Sequence, residues 1–150
     1  MILVSACLTG QSVRYDGRHS LAPELMERLA EGPFIALCPE LLGGLGVPRP
    51  PARLEGARPG REGQDVLSGR ARLLDAEGRE VTGAFVQGAY RVVEIALAAG
   101  VERCYLKDRS PSCAHDPQGR NPEGGPAQGV LTALLLDAGL EVVEVRARAR

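Results

Sequence analysis

The sequence has no tryptophan, only two phenylalanines and three tyrosines, and a single lysine, Lys107. So few aromatic rings exclude the stacking platforms with which proteins hold single-stranded nucleic acids. An excess of either charge is also missing: Lys and Arg number 18, Asp and Glu 19, for a formal charge of -1. With its arginines scattered rather than clustered, the chain lacks the basic footprint that gripping a phosphate backbone requires, so a large nucleic acid is not an expected partner. No apolar run approaches the roughly 18 residues of a membrane span. No basic segment precedes Ile2, so the protein is expected to be cytoplasmic and free of the membrane.

What is present is an ordinary globular composition, 44% hydrophobic and 25% charged over 150 residues. A chain of this length buries roughly 70% of its unfolded surface on folding, enough for one core, and residues 1–150 are read as a single domain. The sequence leaves the oligomeric state open. Four cysteines without an export signal are expected to stay reduced, where thiols bind metal, do chemistry or simply pack.

Strand and helix signals alternate. Ile2–Cys7 is a short, partly β-branched apolar run, followed by a helix over Pro23–Leu29 with Ser20 as a possible cap, and then by the apolar run Phe34–Leu37. Glu40–Gly63 is rich in Gly and Pro and reads as a long ordered loop or a flexible flap, a length that in a compact domain is usually functional or disordered. Arg70–Leu74 and Arg79–Thr82, flanking Asp75-Ala76-Glu77-Gly78, predict a small hairpin. Thr82–Ala99 carries Phe85, Ala89, Val92, Val93 and Ala96 at helical steps before Gly100. Cys104–Leu106 is a third strand, Asp108–Gln128 is irregular, Gly129–Ala138 is helical, Leu140–Val145 is a final strand, and Arg146–Arg150 is a frayed tail. This alternation predicts a three-layer α/β domain with a mostly parallel, Rossmann-like sheet.

Cys7, Cys38 and Cys113 each fall at or just beyond the C-terminal end of a predicted strand. In an open parallel sheet that is the edge where ligands bind, so three loops there can bring three thiols together. Such a set suits an iron–sulfur cluster with one exchangeable iron, or a zinc site with an open position. Three packed core thiols account for the spacing equally well. Cys104 lies inside a strand and reads as a core residue.

In order along the chain, Ser5-Ala6-Cys7-Leu8-Thr9-Gly10, Arg14-Tyr15-Asp16-Gly17, Cys38-Pro39-Glu40, Gly43-Gly44-Leu45, Pro48-Arg49, Gly88-Ala89, Leu106-Lys107 and Ser110-Pro111-Ser112-Cys113 resemble the domain-of-unknown-function 523 family, which includes thiouracil desulfurase. The resemblance implies a [4Fe–4S] cluster held by Cys7, Cys38 and Cys113, with zinc as the alternative cofactor. It implies an enzyme whose substrate is a small thiolated base such as thiouracil: sulfur leaves on the cluster and water replaces it without net redox change. Alternatives are a non-catalytic iron–sulfur or sulfur-carrier protein and a structural zinc protein, in which Glu40 or His115 would complete the tetrahedron.

Hydration of the ring carbon needs proton traffic, and Glu40, two residues past Cys38, is the candidate acid or base. Ser110 and Ser112 beside Cys113 are candidates to bond the substrate, a cluster sulfide or a water, with turn-making as their other role. Lys107 is a candidate to orient a substrate oxygen. Asp16 with Arg14 is expected to fix the loop beneath Cys7. The chain departs from the family in having Val13 where a further cysteine is frequent, and in the run Ala114–Arg120, which contains His115. A lone loop histidine is ordinarily solvated, although its chemistry would suit acid–base work.

Overall fold

A computed structural model, which describes residues 1–119 and 125–150, has four parallel strands at its centre in the order β2-β1-β5-β6. These are β1 (Ile2–Ser5), β2 (Phe34–Leu37), β5 (Arg103–Lys107) and β6 (Glu141–Val145). The central strands β1 and β5 are apolar through their buried residues because parallel strands are covered on both faces, while the edge strands β2 and β6 are less buried. Along β1, Leu3 packs to one side and Val4 to the other, and along β5 Cys104 and Leu106 oppose Tyr105. The first side is covered by α4 (Thr82–Ala98) and α5 (Val130–Asp137), which contribute Phe85, Ala89, Val92, Leu131 and Leu135. The second is covered by α1 (Pro23–Leu29) through Leu25 and Leu29. The expected three-layer α/β architecture with a parallel sheet is therefore present. Among the described residues no helix is long and apolar enough to cross a membrane.

Four local expectations are corrected. Glu40–Gly63 is not one loop: it holds most of α2 (Pro39–Leu42), then β3 (Ala52–Glu55) and the start of α3 (Glu62–Leu67). β4 (Arg72–Asp75) pairs antiparallel with β3 rather than chiefly across its own turn, where only a single bridge, Leu74 to Glu80, forms. Ser20 does not cap α1; the cap position is Ala22, and the buried Ser20 hydroxyl instead receives a hydrogen bond from Arg14 Nη1 (3.2 Å). Arg146–Arg150 is not frayed, because Arg150 N–H donates to the His19 carbonyl (2.7 Å) and Arg18 Nη2 to the Ala149 carbonyl (3.0 Å). The irregular stretch Asp108–Gln128 includes residues 120–124, which lie outside the described residues.

The topology fixes where a site can form. From β1 the chain moves to β2 on one side and later returns to β5 on the other, so the loops leaving β1 and β5 diverge. The crevice they open at the carboxyl ends of the strands is the place where sheets of this kind bind ligands.

Candidate active site

Each of the three cysteine loops is fastened by its own means. After Ser5, a 3-10 turn over Ala6–Thr9 carries Cys7, so this cysteine stands on the turn rather than on the strand. The Cys7 carbonyl receives the Ser20 N–H (2.9 Å), and Arg14 links Ser20 to Asp16 (Nε to Oδ1, 3.3 Å); the Arg14–Ser20 segment thus braces the turn. Cys38 is the cap residue of α2, and its carbonyl accepts the Leu42 N–H (3.1 Å). α2 rests on α4 at backbone contact: a Cβ added at Gly88 would overlap the Pro39 carbonyl, and one at Gly43 the Ala84 carbonyl. The Cys113 loop lies over the start of α5, with the Pro111 and Ser112 carbonyls accepting the Val130 and Leu131 N–H groups (2.9 Å each) and Thr132 Oγ1 donating to the Cys113 carbonyl (3.0 Å). A Cβ at Gly129 would strike that loop's backbone.

The three loops wall a cavity of about 730 Å³ whose lining includes Cys7, Cys38, Cys113, Glu40, Lys107 and Ser110. Burial pushes the Cys7 thiol up to about 11 and raises Cys38 and Cys113 as well, and the three sulfurs lie within electrostatic reach of one another. Without a cation they are neutral thiols; a bound metal reverses this, since a coordinating thiol loses its proton outright. Among the described residues, no three His, Cys, Asp or Glu side chains converge closely enough to chelate one metal ion. A tetrahedral zinc ion needs its sulfurs about 2.3 Å from one centre, whereas a cubane takes each thiolate on a different iron and so tolerates wider spacing. Three soft donors around a roomy cavity fit the polynuclear group better.

Glu40 sits where the three loops meet. Arg49 donates from Nε to Glu40 Oε1 (3.1 Å), from Nη2 to the Val13 carbonyl (3.1 Å) and from Nη1 to the Gly46 carbonyl (3.1 Å), while Ser112 Oγ donates to Glu40 Oε2 (3.3 Å). Ser112 is fully buried and does not line the cavity; its reach to Glu40 is its link to the site. Ser110 Oγ accepts the N–H groups of Ser112 and Cys113 (3.1 Å each), the turn-making arrangement. Lys107 is buried at the cavity with its ammonium on Asp108 Oδ1 (2.6 Å) and the Asp108 carbonyl (3.0 Å), so two of its three donors are spent within the chain. His115 does not line the cavity; its backbone bridges to Gln128, and burial lowers its basicity. Val13 lines the cavity as an apolar patch of wall. Cys104 is wholly buried in the core, its thiol pushed up to about 12.

Sequence reasoning gave no role to Arg49, Ser5 or Asp108. Ser5 Oγ accepts the Lys107 N–H (3.0 Å), which ties the end of β1 to the end of β5. The signal for Ser5 and Asp108 was their place beside strand ends.

Comparison with known proteins identifies the family. Residues 2–146 match the family model described as 2-thiouracil desulfurase. The uncharacterized protein YbbK of Bacillus subtilis (strain 168) is 36% identical over 146 residues, covering 95% of this chain and 94% of that protein. The solved structure of the [4Fe-4S]-dependent thiouracil desulfidase TudS (DUF523Vcz) superposes with a TM-score of 0.74 at 37% identity, covering 95% of this chain and 89% of that one. The match runs through all three cysteine loops, and on it the chain belongs to the 2-thiouracil desulfurase family and is an enzyme.

Proposed function

We propose that this chain, acting as one catalytic domain over residues 1–150, is a [4Fe–4S]-dependent desulfurase that removes sulfur from a small thiolated base such as thiouracil by non-redox hydrolysis. The observation that carries the reading is the meeting of Cys7, Cys38 and Cys113, from three separate loops, at one cavity that also holds Glu40. Cys7, Cys38 and Cys113 would hold the cluster. When bound, it supplies a soft Lewis acid that polarises the C=S bond and accepts the departing sulfide.

The chain's own residues manage the water and the substrate. Glu40 takes a proton from the attacking water through Oε2, the oxygen that the guanidinium leaves free, and returns it as the C–S bond breaks. Oxygen replaces sulfur at the ring carbon, water supplies the oxygen and both protons of the hydrogen sulfide equivalent, and no electron is gained or lost. Lys107, with one donor left after Asp108, holds an exocyclic carbonyl oxygen of the substrate. Ser112 holds Glu40, and Ser110 keeps the turn that presents Cys113.

The test is anaerobic reconstitution followed by iron and acid-labile sulfide analysis and an assay for uracil from 2- and 4-thiouracil. About four irons per chain with uracil release are expected for the wild type, and Cys113→Ala is expected to lose both. Full loading without uracil would favour a sulfur carrier, and retained zinc without cluster would reject the reading.

A further inference from the structure

The guanidinium of Arg49 spends its donors on three acceptors from two loops: Glu40 Oε1 and the Gly46 carbonyl after β2, and the Val13 carbonyl after β1. Its own backbone N–H donates to the Tyr15 carbonyl (2.8 Å), a second bond to the β1 loop. The side chain is only 8% exposed, and that of Glu40 16%, so the pair is shielded from the water that weakens surface ion pairs. A planar fork can hold a carboxylate in one orientation in a way that a flexible ammonium cannot. We infer that Arg49 is a positioning residue of the desulfurase reaction: it latches the Cys7 loop to the Cys38 loop and, through that latch, aims the Glu40 carboxylate into the cavity.

Two consequences separate this role from a plain structural contact. Arg49 lines the cavity but spends its Nε on Glu40, so on this inference its removal costs little once Glu40 has lost its carboxylate, the non-additivity expected of residues that act as a unit. Because its guanidinium bonds the Val13 carbonyl, its loss loosens the Cys7 loop even in metal-free protein, while the backbone bond to the Tyr15 carbonyl remains. The inference rests on the desulfurase reading for its kinetic half and on the geometry alone for its latch half.

The experiment compares wild type, Arg49→Gln, Arg49→Lys, Glu40→Gln and the Glu40→Gln/Arg49→Gln double variant, each shown folded by its thermal melt. Iron content, kcat and KM for 2-thiouracil are measured on reconstituted protein, and Cys7 alkylation by iodoacetamide, followed by mass spectrometry, on metal-free protein. For Arg49→Gln the expected result is unchanged iron, KM within about threefold, kcat lower by about 10- to 100-fold, and Cys7 alkylated about tenfold faster. Arg49→Lys is expected to recover part of kcat, and the double variant to match Glu40→Gln within about twofold. Wild-type kcat in Arg49→Gln or in Glu40→Gln, losses that multiply in the double variant, loss of iron, or unchanged Cys7 alkylation would each overturn the inference. A loaded wild type that forms no uracil defeats the desulfurase reading instead, and the alkylation rates then decide the latch by themselves.

Discussion

At the scale of single residues, the site is a set of polar side chains whose partners leave few donors idle. Glu40 has both oxygens engaged, by Arg49 and by Ser112, and its charge is delivered to the cavity in a fixed direction. Glu40→Gln keeps the shape and removes the proton acceptor of the proposed mechanism, and kcat is expected to fall by about 10²–10⁴ while iron content stays at the wild-type value, as a steady-state assay beside an iron determination will show. Ser112→Ala deletes a buried bond to a charged group, a change of about 1.5–3 kcal/mol in how firmly the carboxylate is held. Its kcat is expected to drop less than that of Glu40→Gln. Arg49 illustrates what a linear reading misses. Its acceptors lie nine positions away at Glu40 and 36 away at Val13, and no local period or spacing connects them.

At the scale of elements, the helices carry the site through close backbone approaches. Gly88→Ala inserts a methyl group where α4 meets the Pro39 carbonyl, so α2 must shift and take Cys38 and Glu40 with it. The expected outcome is a folded protein with normal far-ultraviolet circular dichroism that loads less than half the wild-type iron. Strands β1, β2 and β5 were legible in the sequence because burial writes itself as a short apolar run, and β6 because Glu141 and Glu144 interrupt its valines as on a half-covered strand. β3 was not. Ala52-Arg53-Leu54-Glu55 is only four residues long, half-buried on alternate positions, and sits between Pro50-Pro51 and Gly56, whose turn chemistry dominates the local signal. The cysteine positions were legible through the strand ends, but the seat of Cys7 on a 3-10 turn was not, since Ala6-Cys7-Leu8 continues the apolar run of the strand.

At the scale of the whole molecule, the core that stabilises the fold also seats the site, with Cys113 among its buried residues. The larger core is centred on α4, and Phe85→Ala there is expected to cost about 3–5 kcal/mol, measurable by urea denaturation. A second anchor is Asp65, whose buried carboxylate receives Arg58 N–H (2.8 Å), Nε (3.0 Å) and Nη2 (2.6 Å). The side-chain bond from Arg58 above all holds its pKa well below the usual carboxylate range. A depressed folded-state value means stability that is fully present above the ordinary carboxylate range, near pH 4, and is lost as pH falls below it. Asp65→Asn is therefore expected to melt below the wild type at pH 7, with the gap narrowing steadily under pH 4 in a series of thermal scans. The contact between α2 and α4 has one more consequence, for anyone who wishes to redirect the enzyme. A seat made of bare backbone has no side chain to trade, so Gly43 and Gly88 set a datum that a redesign must leave alone, while wall positions such as Val13 and Tyr15 can be varied to admit a differently shaped substrate without moving the ground on which Cys38 and Glu40 stand.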